Sequence, residues 1–490
     1  MKKILALILF IVVPALGQIQ AQVVINEILY HAPEDLVDLQ YIELLNAGNQ
    51  PVDLQGWTFS KGVDYRFEET TLLEPGGFLV LCKNAADFQE YYARKPYAEF
   101  EKSLSNSGER VVLSDDRGKV EDSVRYDDKA PWPVSADGYS ASLERICPYA
   151  SGEDPNNWAA SALADDQDQP AGSPGEANSA YSKELPPVIQ EIDFFPKWPQ
   201  PEEEILVEAT IPESDTIERI ELLYRLARPG EEGEETTLLM KQRARGRYSA
   251  GIPGQTSGTL VRFRVRAISS SGATRIMPHP NDLRPAHSAY VASPPEIGKI
   301  PVAFVLNIGK EEFDTAKQRG NEPGSPGFAP PPPMGGFDAP PPMQGFGGPG
   351  NRSDQGIPPD RERRPENPMA SGNGPMPDRR PGFGGFFPFM GEEQTQPLPP
   401  QGRSAFVLYD ENDGTKQLFD FINITPRKGG IKVRFHKDHT LGPMTTANII
   451  SEYNERFALA ESLAYDLYHL AGNAACLSDF VRLTIDGNEQ

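Results

Sequence analysis

The stretch VVINEILYHAPEDLVDLQYIELLNAGNQPVDLQGWTFS (23–60) decides the fold class. In VVINEILY (23–30) apolar residues alternate, with Val24 and Ile28 on one parity and Ile25 and Leu29 on the other. That is the period of a pleated strand rather than of a helix. DLQYIELLNAG (38–48) gives a second strand stopped by Asn46 and Gly48, and PVDLQGWTFS (51–60) a short third one around a tight Gly56 position. Trp57 beside a residue without Cβ predicts a buried ring covered by closely passing backbone. Asn26, Glu27 and Glu43 stand next to these core positions. A metal or ligand site is one reading of them; strand-end hydrogen bonding by the Asn and solvent-facing Glu side chains is the plainer expectation.

Further along, GGFLVLCKN (76–84) and ERVVLSD (109–115) add strands bounded by Gly, Asn and Asp. AADFQEYYARK (85–95) predicts a small helix, since Phe88, Tyr91 and Tyr92 fall three to four apart. Trp132 and Trp158 lie in KAPWPVS and DPNNWAA, which suggests long loops folded onto the strands, with an aromatic ligand platform as the functional alternative. Short strands at even spacing with Gly/Pro turns mean a sandwich or barrel.

The motifs INEI (25–28), YIELLN (41–46), DLQGW (53–57), LEPGGFLVL (73–81), SLSNSGERVVLSD (103–115), SLER (142–145) and GSPGEAN (172–178) together resemble the lamin tail domain, over residues 22–180. The resemblance implies an immunoglobulin-like sandwich whose roles are attachment and interaction, with no enzyme activity, and bacterial members that occur in secreted proteins beside other modules.

A Ser-, Pro- and acid-rich linker (165–187) leads to a second β domain at 188–292. ILVEATI (205–211) and ERIELLYRL (218–226) alternate, as does LVRFRVRAIS (260–269), where Val261, Phe263, Val265 and Ala267 oppose Arg262, Arg264 and Arg266. That pattern predicts a half-buried strand with a solvated basic face. RYSAGIPG (247–254) resembles the penultimate turn of an immunoglobulin- or fibronectin type III-like sandwich. From Gly320 to about Arg403 the chain is dominated by Pro and Gly, with Phe and Met interspersed, which predicts a disordered insertion, 317–402, open to early proteolytic nicking.

Structure resumes beyond it. Ser404 to Tyr409 and Gln417 to Ile424 predict a hairpin, and Leu459, Leu463, Leu467 and Leu470 mark one face of a helix closed by Gly472. Phe480 to Ile485 reads as a last strand, and Asp486-Gly487 as a turn with no returning partner before Gln490. The segments IPVAFVLNIGKEEFD (300–314), PRKGGIKVRFHKD (426–438), FALAESLAYDLYHLAG (457–472) and FVRLTIDGNEQ (480–490) resemble the opening lobe of the spore-coat CotH kinase-like family. Members transfer phosphate from ATP to protein serines with a divalent metal. The resemblance implies an incomplete first lobe at 298–490. In it Lys432 and Glu461 would form a phosphate-side pair, and Lys428 with Gly429 and Gly430 a weak phosphate-contacting loop. The metal-binding and catalytic acids of the family belong to a second lobe. Asp479 and Asp486 read as strand-end and turn residues rather than metal ligands.

The first residues, MKKILALILFIVVPALGQIQAQ, carry Lys2 and Lys3, an apolar run from Ile4 to Val13, and small residues around Ala15 to Gly17 and at Ala21. Such a run rises only ~15 Å as helix against a hydrocarbon core of about 30 Å. Residues 1–21 therefore read as a removable export signal, and no later stretch is long and apolar enough to span a bilayer. The net charge of -23, from 70 acidic and 47 basic residues, disfavours nucleic acid as a partner. Cys82, Cys147 and Cys476 lie far apart, so disulfides do not organise the chain, and His436 with His439 read as surface or loop residues.

The expectation is thus a mainly β protein. Immunoglobulin-like β-sandwich domains precede a disordered Pro/Gly-rich insertion and a truncated α+β kinase-like lobe. Its function is that of an exported, secreted, periplasmic or cell-surface binding or scaffold protein, whose β domains meet proteins or cell-envelope components. It has no cofactor and no catalytic residue in this chain; ATP and a divalent metal enter only on the alternative, that it is a fragment of a CotH-type kinase.

Overall fold

Asn26 shifts the alternation of the first strand. Strand β1 (Val23–Leu29) pairs with β2 (Tyr41–Asn46) from Val23↔Asn46 to Ile25↔Leu44 and resumes at Glu27↔Glu43, leaving Asn26 as the extra residue of a bulge. Ile25 and Ile28 consequently reach the same core, together with Val23 and Tyr30. Leu29 faces the other way, towards Tyr41, Val80 and Phe88. The expected opposite parity of Ile25 and Ile28 is overturned by that one inserted residue.

The computed structural model describes residues 23–164, 169–212, 216–293, 300–309, 314, 402–410, 415–427, 430–450 and 481–489. The predicted export signal, the insertion from 317 to 401, Lys428 and Gly429, the predicted helix with Glu461, Cys476 and Asp479 lie outside the described residues.

After β2 come β3 (Val52–Asp53), β4 (Thr58–Lys61), β5 (Tyr65–Arg66), β6 (Leu72–Leu73), β7 (Phe78–Cys82), helix α1 (Ala85–Tyr92), β8 (Ala98–Glu99), β9 (Glu109–Ser114), β10 (Val120–Tyr126), β11 (Leu143–Arg145) and β12 (Trp158–Ala160). With β1 and β2 they form a sheet ordered β12-β11-β1-β2-β7-β8, a second ordered β10-β9-β4-β5, and a short separate ladder of β3 with β6. Ile25, Ile42 and Leu44 of the first meet Phe59, Val111 and Leu113 of the second in one core, an immunoglobulin-like sandwich. Gly56 (φ +81°) takes a conformation that disfavours a side chain and donates its N–H to Phe67 O at 2.8 Å, and Trp57 beside it is buried as expected. Trp132 and Trp158 are core residues whose rings lie 6.1 Å apart, and Trp158 belongs to a strand rather than a loop. Burial of both rings removes them as a ligand platform. Helix α1 is capped by Asn84, whose side chain accepts from the N–H groups of Ala86 and Asp87. It ends sooner than expected, at a left-handed Ala93 (φ 52°), and leaves Tyr91 exposed.

A second pair of sheets follows. Glu191–Phe195, Ile205–Thr210, Arg247–Ile252 and Lys241–Ala244 form one; the other is built on Ile217–Arg228 paired with Thr259–Ser269. Val207, Ile252, Leu222 and Phe263 meet in the core between them. Of RYSAGIPG, Arg247–Ile252 is a strand of the first of these sheets rather than a turn, and Pro253 and Gly254 follow it. The expected solvated basic face is also corrected, because acidic side chains cover it. Arg262 is 5% exposed and bonds Glu232 and Asp420, Arg264 bonds Glu235, and Arg266 bonds Glu221.

The sheet of the third part joins Val302–Asn307 antiparallel to Ser404–Asp410 and parallel to Arg482–Ile485. Ser404–Asp410 pairs in turn with Thr415–Arg427, as the hairpin pattern predicts. Asn488–Glu489 folds back on Thr484 and Ile485, so the last turn does have a returning strand. Asp486 forms that turn and accepts from the N–H of Asn307 at 2.8 Å. His436 is buried rather than at the surface, its Nε2 2.9 Å from Phe421 O.

The second and third parts share an apolar cluster in which Ala227, Leu260 and Tyr290 meet Leu306, Val407 and Tyr409. The first part reaches the third through Tyr139, whose hydroxyl accepts the Lys437 N–H at 3.2 Å. Among the described residues no helix is long and apolar enough to cross a membrane.

Candidate functional site

Strands β11, β1 and β2 bring three glutamates into one row, because Glu27 is opposite Glu144 on one side and Glu43 on the other. All three are 0% exposed, which overturns the expectation of solvent-facing Glu27 and Glu43. The row lies on the sheet face away from the sandwich core and is roofed by residues 171–180. Glu27 Oε1 accepts from Tyr41 OH (2.7 Å), Ser142 Oγ (2.5 Å) and the Ser173 N–H (2.9 Å). Glu43 accepts from the Gly175 N–H (2.5 Å) and Asn26 Nδ2 (2.8 Å). Glu144 accepts from Ser173 Oγ, Ser179 Oγ and the Ala180 N–H. Asn178 closes the roof by donating to the carbonyls of Asn26 and Arg145 and accepting from Asn26 Nδ2.

This arrangement explains the sequence around it. Gly172 (φ +111°) leaves no room for a side chain, since a Cβ there would meet Tyr41 OH at 2.2 Å and Glu27 Oε1 at 2.8 Å. Burial, then the charge of Glu144, pushes the Glu27 carboxyl up to about 7, although its hydrogen-bond donors pull the other way. Glu43 is pushed up by burial and then by the charge of Glu27. Chemically, the row is a clip. Its carboxylate oxygens are engaged by N–H and O–H donors that a cation would have to displace, and among the described residues no cluster of three or more His, Cys, Asp or Glu is placed to hold a metal ion.

Beside the clip, a groove of about 540 Å³ runs between β6, β7 and the residues after α1. Leu73, Phe78, Leu79, Val80 and Phe88 floor it, and Leu72, Arg94, Lys95, Tyr97, Pro174 and Gly175 rim it. Gly175 connects the two features, because its N–H is the donor to Glu43. Tyr97 is held as a wall by its hydroxyl, 2.5 Å from Thr71 Oγ1.

Of the residues assigned from the kinase-like resemblance, Lys432 is half-buried in the strand Gly430–Arg434, opposite Thr425 and Asn448. Glu461 lies outside the described residues, so the pair is not assembled from described atoms. Asn26, Glu27 and Glu43 are brought together, but as a clip rather than a ligand site. Glu144 escaped sequence reasoning, and so did the groove. The available signal was a glutamate directly beside an Ile or Leu in each of three segments, INEI, YIELL and SLER.

Residues 18–128 match the family model of the Lamin Tail Domain, which places such a domain at the N-terminal end of the chain. Among curated proteins, none matches. Among solved structures, the native conformation of E. coli alpha-2-macroglobulin aligns at 13% identity with a TM-score of 0.17, over 59% of this chain and 21% of that one. The chain thus spans about a fifth of that protein's length.

Proposed function

We propose that this chain is an exported binding or scaffold protein, acting at or beyond the cell envelope through its β domains, and that it is not catalytic in this form. One observation carries the reading. Acidic and basic side chains that could serve chemistry are buried against partners in their own chain, in the glutamate clip and in the joint between Arg262 and Asp420. Such groups organise a rigid body for presenting surfaces. The lamin tail domain supports the same role, since that family suggests attachment rather than turnover.

The test is sedimentation of the purified full chain with envelope fragments of the producing organism, paired with calorimetry against Mg-ATP. Saturable retention without heat from nucleotide is expected. Absence of retention, or micromolar Mg-ATP binding, overturns the proposal. Nucleotide binding would instead favour the finer reading, in which 298–490 is the first lobe of a CotH-type kinase with Lys432 and Glu461 on the phosphate side. The support for that reading is the resemblance of its strand segments.

A further inference from the structure

We infer that the groove beside β7 takes an extended, acidic segment of a partner protein, added as a strand to the sheet edge. The inference deepens the binding role proposed above and rests on it.

The backbone defines the shape of the occupant. Gly77 O accepts the Asn46 N–H at 3.1 Å, and Leu44 is opposite Leu79, so residues 77, 79 and 81 bond towards β2. Alternation turns the main-chain groups of Phe78 and Val80 to the opposite edge. There Val80 O takes the Tyr97 N–H at 2.8 Å, but β8 begins only at Ala98 and covers Leu81 and Cys82. The edge at Phe78 has no strand partner among the described residues, and it opens into the groove. An unpaired edge of this kind is completed by another extended backbone.

The side chains define its chemistry. Phe78, Leu79 and Val80 offer an apolar floor, and Leu72 on the rim is 58% exposed. The rim cations are Arg94, already bridged to Glu176, and Lys95, which is exposed and has no partner among the described residues. Arg94 and Lys95 are the charged residues that line the groove, so the exposed Lys beside its apolar floor selects a carboxylate on the incoming strand. The occupant is therefore an extended segment with apolar residues at alternate positions and acidic residues between them.

The experiment uses the full chain and two short dye-labelled peptides, one alternating Val with Glu and one alternating Val with Lys. Fluorescence anisotropy is expected to show saturable binding of the Glu peptide, at least about tenfold tighter than the Lys peptide. Lys95→Glu should weaken the Glu peptide about tenfold, whereas Lys61→Glu, on the other sheet, should leave it unchanged. Hydrogen exchange at the Phe78 amide should slow when the Glu peptide is bound, and matched melting curves exclude misfolding of the variants. Equal binding of both peptides, no saturation up to millimolar peptide, indifference to Lys95→Glu, or unchanged exchange at Phe78 each overturns the inference. Envelope retention that survives Lys95→Glu, alongside any of those failures, leaves the scaffold reading standing and removes only the groove.

Discussion

Arg262 holds Asp420 in a two-pronged ion pair, Nε to Oδ2 at 2.9 Å and Nη2 to Oδ1 at 2.7 Å, with both side chains 5% exposed. The guanidinium also lies over the Phe421 ring, 4.2 Å from its centroid, and donates to Glu232. Ser288 Oγ donates to the same carboxylate at 2.5 Å. Because the partners come from the second and third parts of the chain, the pair fixes one against the other. Burying two charges is costly, and only the matched fork geometry and the additional donors offset it.

Arg262→Ala leaves Asp420 buried without its counter-charge. The expected loss is about 3–5 kcal/mol at the joint between the second and third parts. Differential scanning calorimetry should show one shared transition in the wild type separate into two in the variant. Arg262→Met with Asp420→Leu should recover much of the loss, since well-packed apolar replacements dispense with the desolvation of both charges. An unchanged single transition in Arg262→Ala would contradict the role of this pair as the joint.

The same residue shows why part of the fold was legible in the sequence and part was not. Alternation at 260–269 correctly marks a strand and its core-facing side. The polar side was read as solvated because a sequence pattern reports periodicity, not which surface packs on the second face. Asp420 is 158 residues away, and no local signal links it to Arg262. Glu27 and Glu43 were misread for the same reason, since the covering segment arrives from residues 171–180. Asn26 added a further difficulty, because a one-residue bulge reverses strand parity without changing composition. Trp57 was legible because its determinant, Gly56, is its immediate neighbour.

The glutamate clip predicts a pH dependence of stability with a definite sign. The folded carboxyls of Glu27 and Glu43 are raised from 4.5 to about 7 and about 8, mainly by burial. A raised folded value means that the folded state binds the proton more tightly. The stabilisation is complete below the unfolded value and is lost as pH rises through the folded values. Between pH 7 and 9 the first sandwich should lose on the order of 2 kcal/mol. Glu27→Gln keeps an acceptor but removes one charge, so it should flatten this slope while leaving the neutral-pH melting temperature nearly unchanged. Tryptophan fluorescence reports the transition, because Trp57, Trp132 and Trp158 sit in that core. Buried His279 and His287, pushed down to about 4, affect the slope only below this window. A melting temperature that rises from pH 7 to 9, or an equally steep slope in Glu27→Gln, would contradict the sign.

Asn178 and Gly172 separate the roof of the clip from the sheet beneath it. Asn178→Ala removes a hydrogen bond from the carbonyls of Asn26 and Arg145 and one of the two made by the Asn26 amide, all buried, and should cost roughly 1–3 kcal/mol. Gly172→Ala acts through space instead, driving a methyl group into Tyr41 OH and Glu27 Oε1 from a left-handed backbone position. Both changes should release residues 171–180 while the core beneath persists. Limited proteolysis followed by mass spectrometry should then find new cleavage within 171–180 in either variant and none there in the wild type. Since Gly175 belongs to both the roof and the groove rim, the Glu peptide should also bind either variant more weakly, on the order of a few-fold. Cleavage unchanged in both variants would mean that the carboxylates do not hold this segment, and that the wall of the groove is fixed by other contacts.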